Sequence, residues 1–154
     1  MRTAGRARRH AARLGDSVSS PADLWLLVRM LGWSLVLPLA KRVLPLSRLV
    51  HLMRPRTGTR TRHRNRQDAI ASLAAWVFKT RPPGTRDNCL ERGLVTFRYL
   101  SRAGAEPVLV IGMAKGSEGV HGHVWVTVDG RPVHDSPEAL AGFEPFLVFE
   151  SESR

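Results

Sequence analysis

At 154 residues and 43% hydrophobic content, the chain is long enough for one domain with a real core. Its single cysteine excludes an intrachain disulfide and a CxxC metal knuckle, and it fits a reducing, cytoplasmic setting. The net charge of +11 is uneven: residues 1–66 hold 15 Lys/Arg against Asp16 and Asp23, whereas residues 67–154 hold 9 Lys/Arg against 11 Asp/Glu. Attraction to polyanions is therefore a property of the front half. No recognition helix or aromatic-rich sheet accompanies that charge, so an acidic partner is favoured over nucleic acid.

Residues 1–20 read as a flexible basic arm. Residues 24–40 then form an apolar run. Arg29 inside the run, Pro38 at its end and a length below the roughly 20 residues of a span argue against a membrane crossing. The long basic leader and the lack of an A-x-A site argue against a signal peptide. Ser20-Pro21-Ala22-Asp23 predicts a helix start, and the helix is expected over about 22–37, buried against the domain or a partner. Its basic flanks also allow reversible contact with a membrane surface. A short helix is expected after Pro45, through Leu46, Leu49, Val50 and Met53, followed by a basic linker over 54–66.

Gln67 to Lys79 places Ile70, Leu73, Ala74, Val77 and Phe78 on one helical stripe, with Trp76 off it. Thr80 to Gly84 breaks that helix. The next helix begins at Cys89, with Asn88 as N-cap and Glu91 completing a capping-box pattern, and should run to about Ala103 before a left-handed cap at Gly104. Leu90, Leu94, Phe97 and Leu100 give its buried face. Pro107 to Gly112 is a short apolar strand, and Met113 to Gly119 a polar loop. His121 to Val128 alternates, with Val124, Val126 and Val128 on one face and His121, His123, Trp125 and Thr127 on the other. Asp129-Gly130 is a hairpin signal, Arg131 to Asp135 the return strand, and Phe143 to Phe149 a last strand. Helices followed by an antiparallel sheet indicate an α+β fold.

Cys89 at a helix start lies where unpaired N–H groups and the helix dipole favour an anion, and hence a thiolate. A cysteine, a histidine and an acid in that order are the parts of a thiol nucleophile with its base and orienter. His123 is the candidate base and His121, on the same strand face, its rival. His134 would point the opposite way. Asp135 is the candidate acid; Asp129 fits turn chemistry better. Asp135-Ser136-Pro137-Glu138 also reads as a helix cap with Ser136 at the N-cap. The bland reading of Cys89 is a small buried hydrophobe. His121-x-His123 with a carboxylate could hold a metal, but one HxH is a weak signal and ranks below thiol chemistry. No Walker-type phosphate loop is present, and no cofactor is expected.

Asn88-Cys89-Leu90-x-Arg92, Gly104-Ala105-x-Pro107-x-Leu109-Val110-Ile111-Gly112, His123-x-Trp125-Val126-x-Val128-Asp129-Gly130 and Asp135-Ser136-Pro137 together resemble the lasso peptide B-type leader peptidases. These belong to the transglutaminase-like, papain-related superfamily. The resemblance covers about residues 65–150. It implies a cysteine protease with Cys89, His123 and Asp135 at the triad positions, cutting the leader from a ribosomally made precursor peptide. It also implies a separate ATP-dependent macrolactam synthetase, which closes the released core peptide. Nothing in the front half reads as the leader-binding module of fused relatives, so the chain resembles the protease half of a split system with a separate leader-binding protein. Thr127 stands where relatives often carry Glu, and no papain-like oxyanion glutamine is evident, because Gln67 is the only glutamine. On this reading the chain divides into a basic arm (1–20), a helical region with linker (21–60) and a transglutaminase-like domain (61–154). The competing reading is a basic binding or scaffold protein that docks an acidic partner, nucleic acid or a membrane surface.

Overall fold

The computed structural model describes residues 21–55, 64–79, 89–117 and 119–151. The basic arm, most of the linker, the Thr80–Gly84 break and the Asn88 cap lie outside the described residues. The chain forms α1 (Pro21–Val43), α2 (Leu46–Met53), α3 (Arg64–Lys79) and α4 (Cys89–Arg102). These are followed by β1 (Pro107–Gly116), β2 (Gly119–Val128), β3 (Arg131–Pro132), the short α5 (Pro137–Leu140) and β4 (Glu144–Glu150). The strands make one antiparallel sheet in the order β3-β2-β1-β4. Helices first and an antiparallel sheet second give the α+β class.

The apolar stripe of α3 is buried as its spacing requires: Ile70, Leu73, Ala74, Val77 and Phe78 all lie in the core. Leu94, Phe97 and Leu100 of α4 join them, with Leu109 and Val126 from the facing sheet. Gly93 lets α4 sit close to the sheet. A Cβ there would come within 2.9 Å of Val124 Cγ1 and 3.0 Å of Leu109 Cδ1. The end of α4 is closed by Gly104 at φ 76, with the Ala105 N–H donating to the Leu100 carbonyl at 3.0 Å.

α1 and α2 share this core through Met30, Leu37, Leu49, Val50 and Met53. Arg98 of α4 fastens both. Its guanidinium lies 5.1 Å from the Trp33 ring centre, and Nη1 donates to the Leu52 carbonyl at 3.0 Å. Glu91, buried in the first turn of α4, pairs with Lys41 of α1 at 2.8 Å. A buried carboxylate needs such a partner, and its place in the first turn also suits the helix dipole.

Three expectations are corrected. The first helix does not stop at Pro38 but continues to Val43. Proline removes one N–H and disturbs one turn, but Leu37 on one side and the Lys41–Glu91 pair on the other hold both segments to the core. The expected loop at Met113–Gly119 is largely strand, with pairing that runs out to Gly116↔Gly119. Ladder hydrogen bonds satisfy the backbone there whatever the polarity of Lys115 and its neighbours. The return strand is short. Pairing ends at Arg131–Pro132, and one further bond joins the Val133 N–H to the Val126 carbonyl at 2.9 Å. His134 and Asp135 therefore lie in a bend, free of strand alternation. The hairpin turn itself is as expected, with Asp129 at φ 52 and Gly130 at φ 73.

Candidate active site

β2 carries His123 on the sheet face opposite Val124 and Val126, as period-two alternation dictates. Trp125 lies on the same face and is almost fully buried. Gly112, on the neighbouring strand, makes room for it. A Cβ at Gly112 would meet the Trp125 ring at 2.6 and 2.7 Å and the Glu144 carbonyl oxygen at 2.9 Å. The imidazole of His123 stacks on Trp125 with ring centres 6.1 Å apart and planes 18° apart. Phe143, just before β4, approaches the same imidazole at 5.3 Å and the indole at 6.4 Å. Aromatic faces on two sides restrict how the ring can turn.

Asp135 supplies the polar partner. His123 Nε2 lies 3.3 Å from Asp135 Oδ1. An ionised carboxylate only accepts, so Nε2 is the donor and the lone pair of a neutral ring falls on Nδ1. Asp135 is held in turn by Arg92, whose Nη2 donates to Oδ1 at 3.2 Å and to Oδ2 at 3.3 Å. The next residue back, His134, reaches the same helix, with Nε2 2.9 Å from Thr96 Oγ1. Burial, and then the nearby Arg92 charge, lower the His134 pKa from 6.5 to about 4, against the opposing pull of Asp135. His134 is therefore a neutral structural contact at physiological pH.

Arg92 and Thr96 are four residues apart on α4, and Cys89 is three residues before Arg92, so the three share one helix face. That face lies along the 133–135 bend. Thr96 meets His134, Arg92 meets Asp135, and Cys89 occupies the turn beyond, roughly 5–6 Å from Arg92 between Cβ atoms. Cys89 is a free, half-buried thiol at the first residue of the helix. The side chains of Arg92, His123 and Asp135 keep 23%, 24% and 15% of their surface, so the group borders solvent.

Of the two candidate bases, His123 and His121, and the two candidate acids, Asp135 and Asp129, the structure brings His123 and Asp135 together. His121 is exposed and lies over Gly116 near the tip of the β1–β2 hairpin, where a Cβ on Gly116 would come 2.7 Å from its Nε2. Asp129 is the hairpin turn residue. Ser136 caps α5, its hydroxyl accepting from the Ala139 N–H at 3.2 Å. The Ser136 cap is as expected, and it leaves the Asp135 side chain to meet His123, because the cap and the acid are different residues. Among the described residues, no three His, Cys, Asp or Glu side chains converge as a metal site.

Sequence reasoning gave no role to three residues. Arg92 was legible, since it stands three residues after Cys89. The Thr96–His134 contact and the Phe143 ring carried no local signal, because both depend on how the sheet lies against α4.

Helices packed on an antiparallel sheet, with Cys89 at the start of α4 and the His123–Asp135 pair on the sheet side, define the molecule as an α+β protein of this architecture. The chain belongs to the transglutaminase-like superfamily, whose core model matches residues 27–148. That match starts within α1 and ends within β4, so it takes in most of both and every described element between them. No curated protein and no solved structure matches the chain significantly.

Proposed function

We propose that the chain is a cysteine peptidase with Cys89 as nucleophile, His123 as base and Asp135 as orienter, and that it removes the leader from a ribosomally made lasso peptide precursor. The observation that carries the chemistry is the His123 Nε2–Asp135 contact, tied by Arg92 to the helix that begins at Cys89. With an ionised carboxylate, that contact favours the tautomer whose Nδ1 can accept a thiol proton.

In the forward half-reaction Nδ1 takes the Cys89 proton and sulfur attacks the scissile carbonyl. The tetrahedral oxyanion collapses, the C–N bond breaks, and the imidazolium returns its proton to the leaving amine. A thioester of the leader remains. Water, deprotonated by the same imidazole, attacks the thioester and restores the thiol. Backbone N–H groups at the start of α4 are donors for the oxyanion. Asp135 orients the ring and stabilises the imidazolium, while Arg92 holds the carboxylate in place. Membership of the transglutaminase-like superfamily supports the reaction class. The combined sequence motifs support the precursor as substrate, the separate leader-binding protein as partner, and the ATP-dependent macrolactam synthetase as the enzyme that acts next.

Incubating the chain with the precursor, with and without the leader-binding protein, and weighing the products tests this reading. Wild type should release leader and core in the presence of the partner. Cys89→Ala should release neither while keeping its circular dichroism and melting temperature. Normal cleavage by Cys89→Ala would sink the assignment.

A further inference from the structure

α1 is apolar on two opposite faces. One face, carrying Met30, Ser34 and Leu37, is built into the core. On the other, Leu24, Val28, Leu35 and Leu39 recur at helical spacing with Trp25 and Val43 beside them, and all six are exposed. The exposure is large: 72% for Leu35, 63% for Trp25 and 80% for Val43. A helix that is apolar all round is ordinarily covered all round, and a continuous apolar stripe along a 23-residue helix marks an interaction surface.

Charge selects the occupant. Arg29 is exposed beside the stripe and Arg42 at its C-terminal end. The arm before α1 carries Arg2, Arg6, Arg8, Arg9 and Arg13, and the segment after α2 is similarly rich in arginine. The 15 Lys/Arg of residues 1–66 face only two acids, whereas residues 67–154 carry a slight excess of acids. The apolar stripe therefore belongs to the strongly basic half. At 23 residues α1 is about 34 Å long at 1.5 Å per residue, so the stripe offers an extended apolar face. An exposed tryptophan near one end is at home at a lipid headgroup boundary.

We propose that α1 is a membrane-surface helix, which lays its Leu24–Leu39 face into the headgroup boundary of an anionic bilayer while Arg29 and Arg42 contact lipid phosphates. Because the helix runs from Pro21 to Val43, beyond the 24–40 run, it is by length and composition alone long and apolar enough to cross a membrane, which corrects the expectation that it is too short. Its inner face argues for lying flat instead. Met30, Leu37 and the Lys41–Glu91 pair would have to leave the core for lipid to surround it. The proposal stands apart from the peptidase reading, since it uses no residue of the Cys89–His123–Asp135 group.

The test is flotation of the purified full chain with vesicles of phosphatidylcholine alone and of equal parts phosphatidylcholine and phosphatidylglycerol, at low and high salt, with tryptophan emission recorded in parallel. Binding to the anionic vesicles with a blue-shifted emission is expected, with about tenfold or greater loss at high salt or on neutral vesicles. Leu35→Glu/Leu39→Glu should lose about tenfold or more in binding while keeping the melting temperature, because both positions are exposed. Arg29→Ser/Arg42→Ser should weaken binding on anionic vesicles only. Absence of flotation, or equal flotation of wild type and Leu35→Glu/Leu39→Glu, overturns the proposal. So does a concentration-dependent dimer, or a complex with an acidic protein, that the glutamate pair dissolves while vesicles stay unbound. Because no precursor is present, failure here leaves the peptidase assignment untouched, and loss of cleavage in Cys89→Ala does not bear on vesicle binding.

Discussion

The Arg92–Asp135 contact joins α4 to the bend that holds His123, and its strength can be isolated by a double-mutant cycle. The nearest oxygen is 3.2 Å from Nη2. Two unit charges at that separation attract by about 1.3 kcal/mol at the dielectric of water and about 5 kcal/mol at an effective value of 20. With 23% and 15% of the side chains exposed, the pair lies between those limits, and lost hydration offsets part of the attraction. Exposed ion pairs contribute about 0.2–1 kcal/mol, and hydrogen bonds to charged groups about 1.5–3 kcal/mol. A coupling energy of about 1–2 kcal/mol is the expected outcome. Arg92→Met, Asp135→Asn and the double variant would be unfolded in urea at neutral pH, and midpoints compared at constant slope. Raising the salt should shrink the coupling modestly. A coupling below about 0.5 kcal/mol, the scatter found for independent sites, would refute the claim that this pair fixes the carboxylate.

Other consequences are separable. His123→Ala and Asp135→Ala should each lower kcat for precursor cleavage by about 10²–10⁴-fold, whereas His121→Ala stays near wild type; the reverse ranking in a single-turnover assay would move the base to His121. His134 binds its proton near 6.5 when unfolded and only near 4 when folded, so the protein loses stability as pH falls through that interval, by up to about 3 kcal/mol. His134→Gln, which keeps a hydrogen-bonding group near Thr96, should flatten the stability curve there by that amount, and parallel wild-type and variant curves in urea would contradict it. Gly112→Ala drives a methyl group into the Trp125 ring and the Glu144 carbonyl, and should cost about 1–3 kcal/mol with a change in near-UV circular dichroism. An unchanged melting temperature would mean that the indole has another resting place.

Much of the scaffold was legible locally. The α3 stripe, the α4 start at Cys89, the Gly104 cap and the Asp129-Gly130 turn follow from spacing and backbone preference, and each appears where expected. The His123–Asp135 pairing was a candidate among several, because alternation alone leaves His121 and His123 equivalent. Helix ends and strand lengths were less legible. Pro38 reads as a stop and Lys115-Gly116 as a loop only while their surroundings are ignored.

The sequence by itself determined which residues carry chemistry and which helical faces are apolar, since side-chain type and a period of 3.6 or two are properties of the chain. Tertiary structure decided what those faces meet. It brought Asp135 to His123 rather than to His121, because the chain leaves the sheet after Pro132 and the bend passes one position of β2. It placed Arg92 on Asp135 across 43 residues of chain and Thr96 on His134 across 38, contacts that no local pattern encodes. It also divided the apolar run of α1 into a buried face and a bare one. Hydrophobicity demands that such a face be covered, and only packing shows which side the domain itself leaves open.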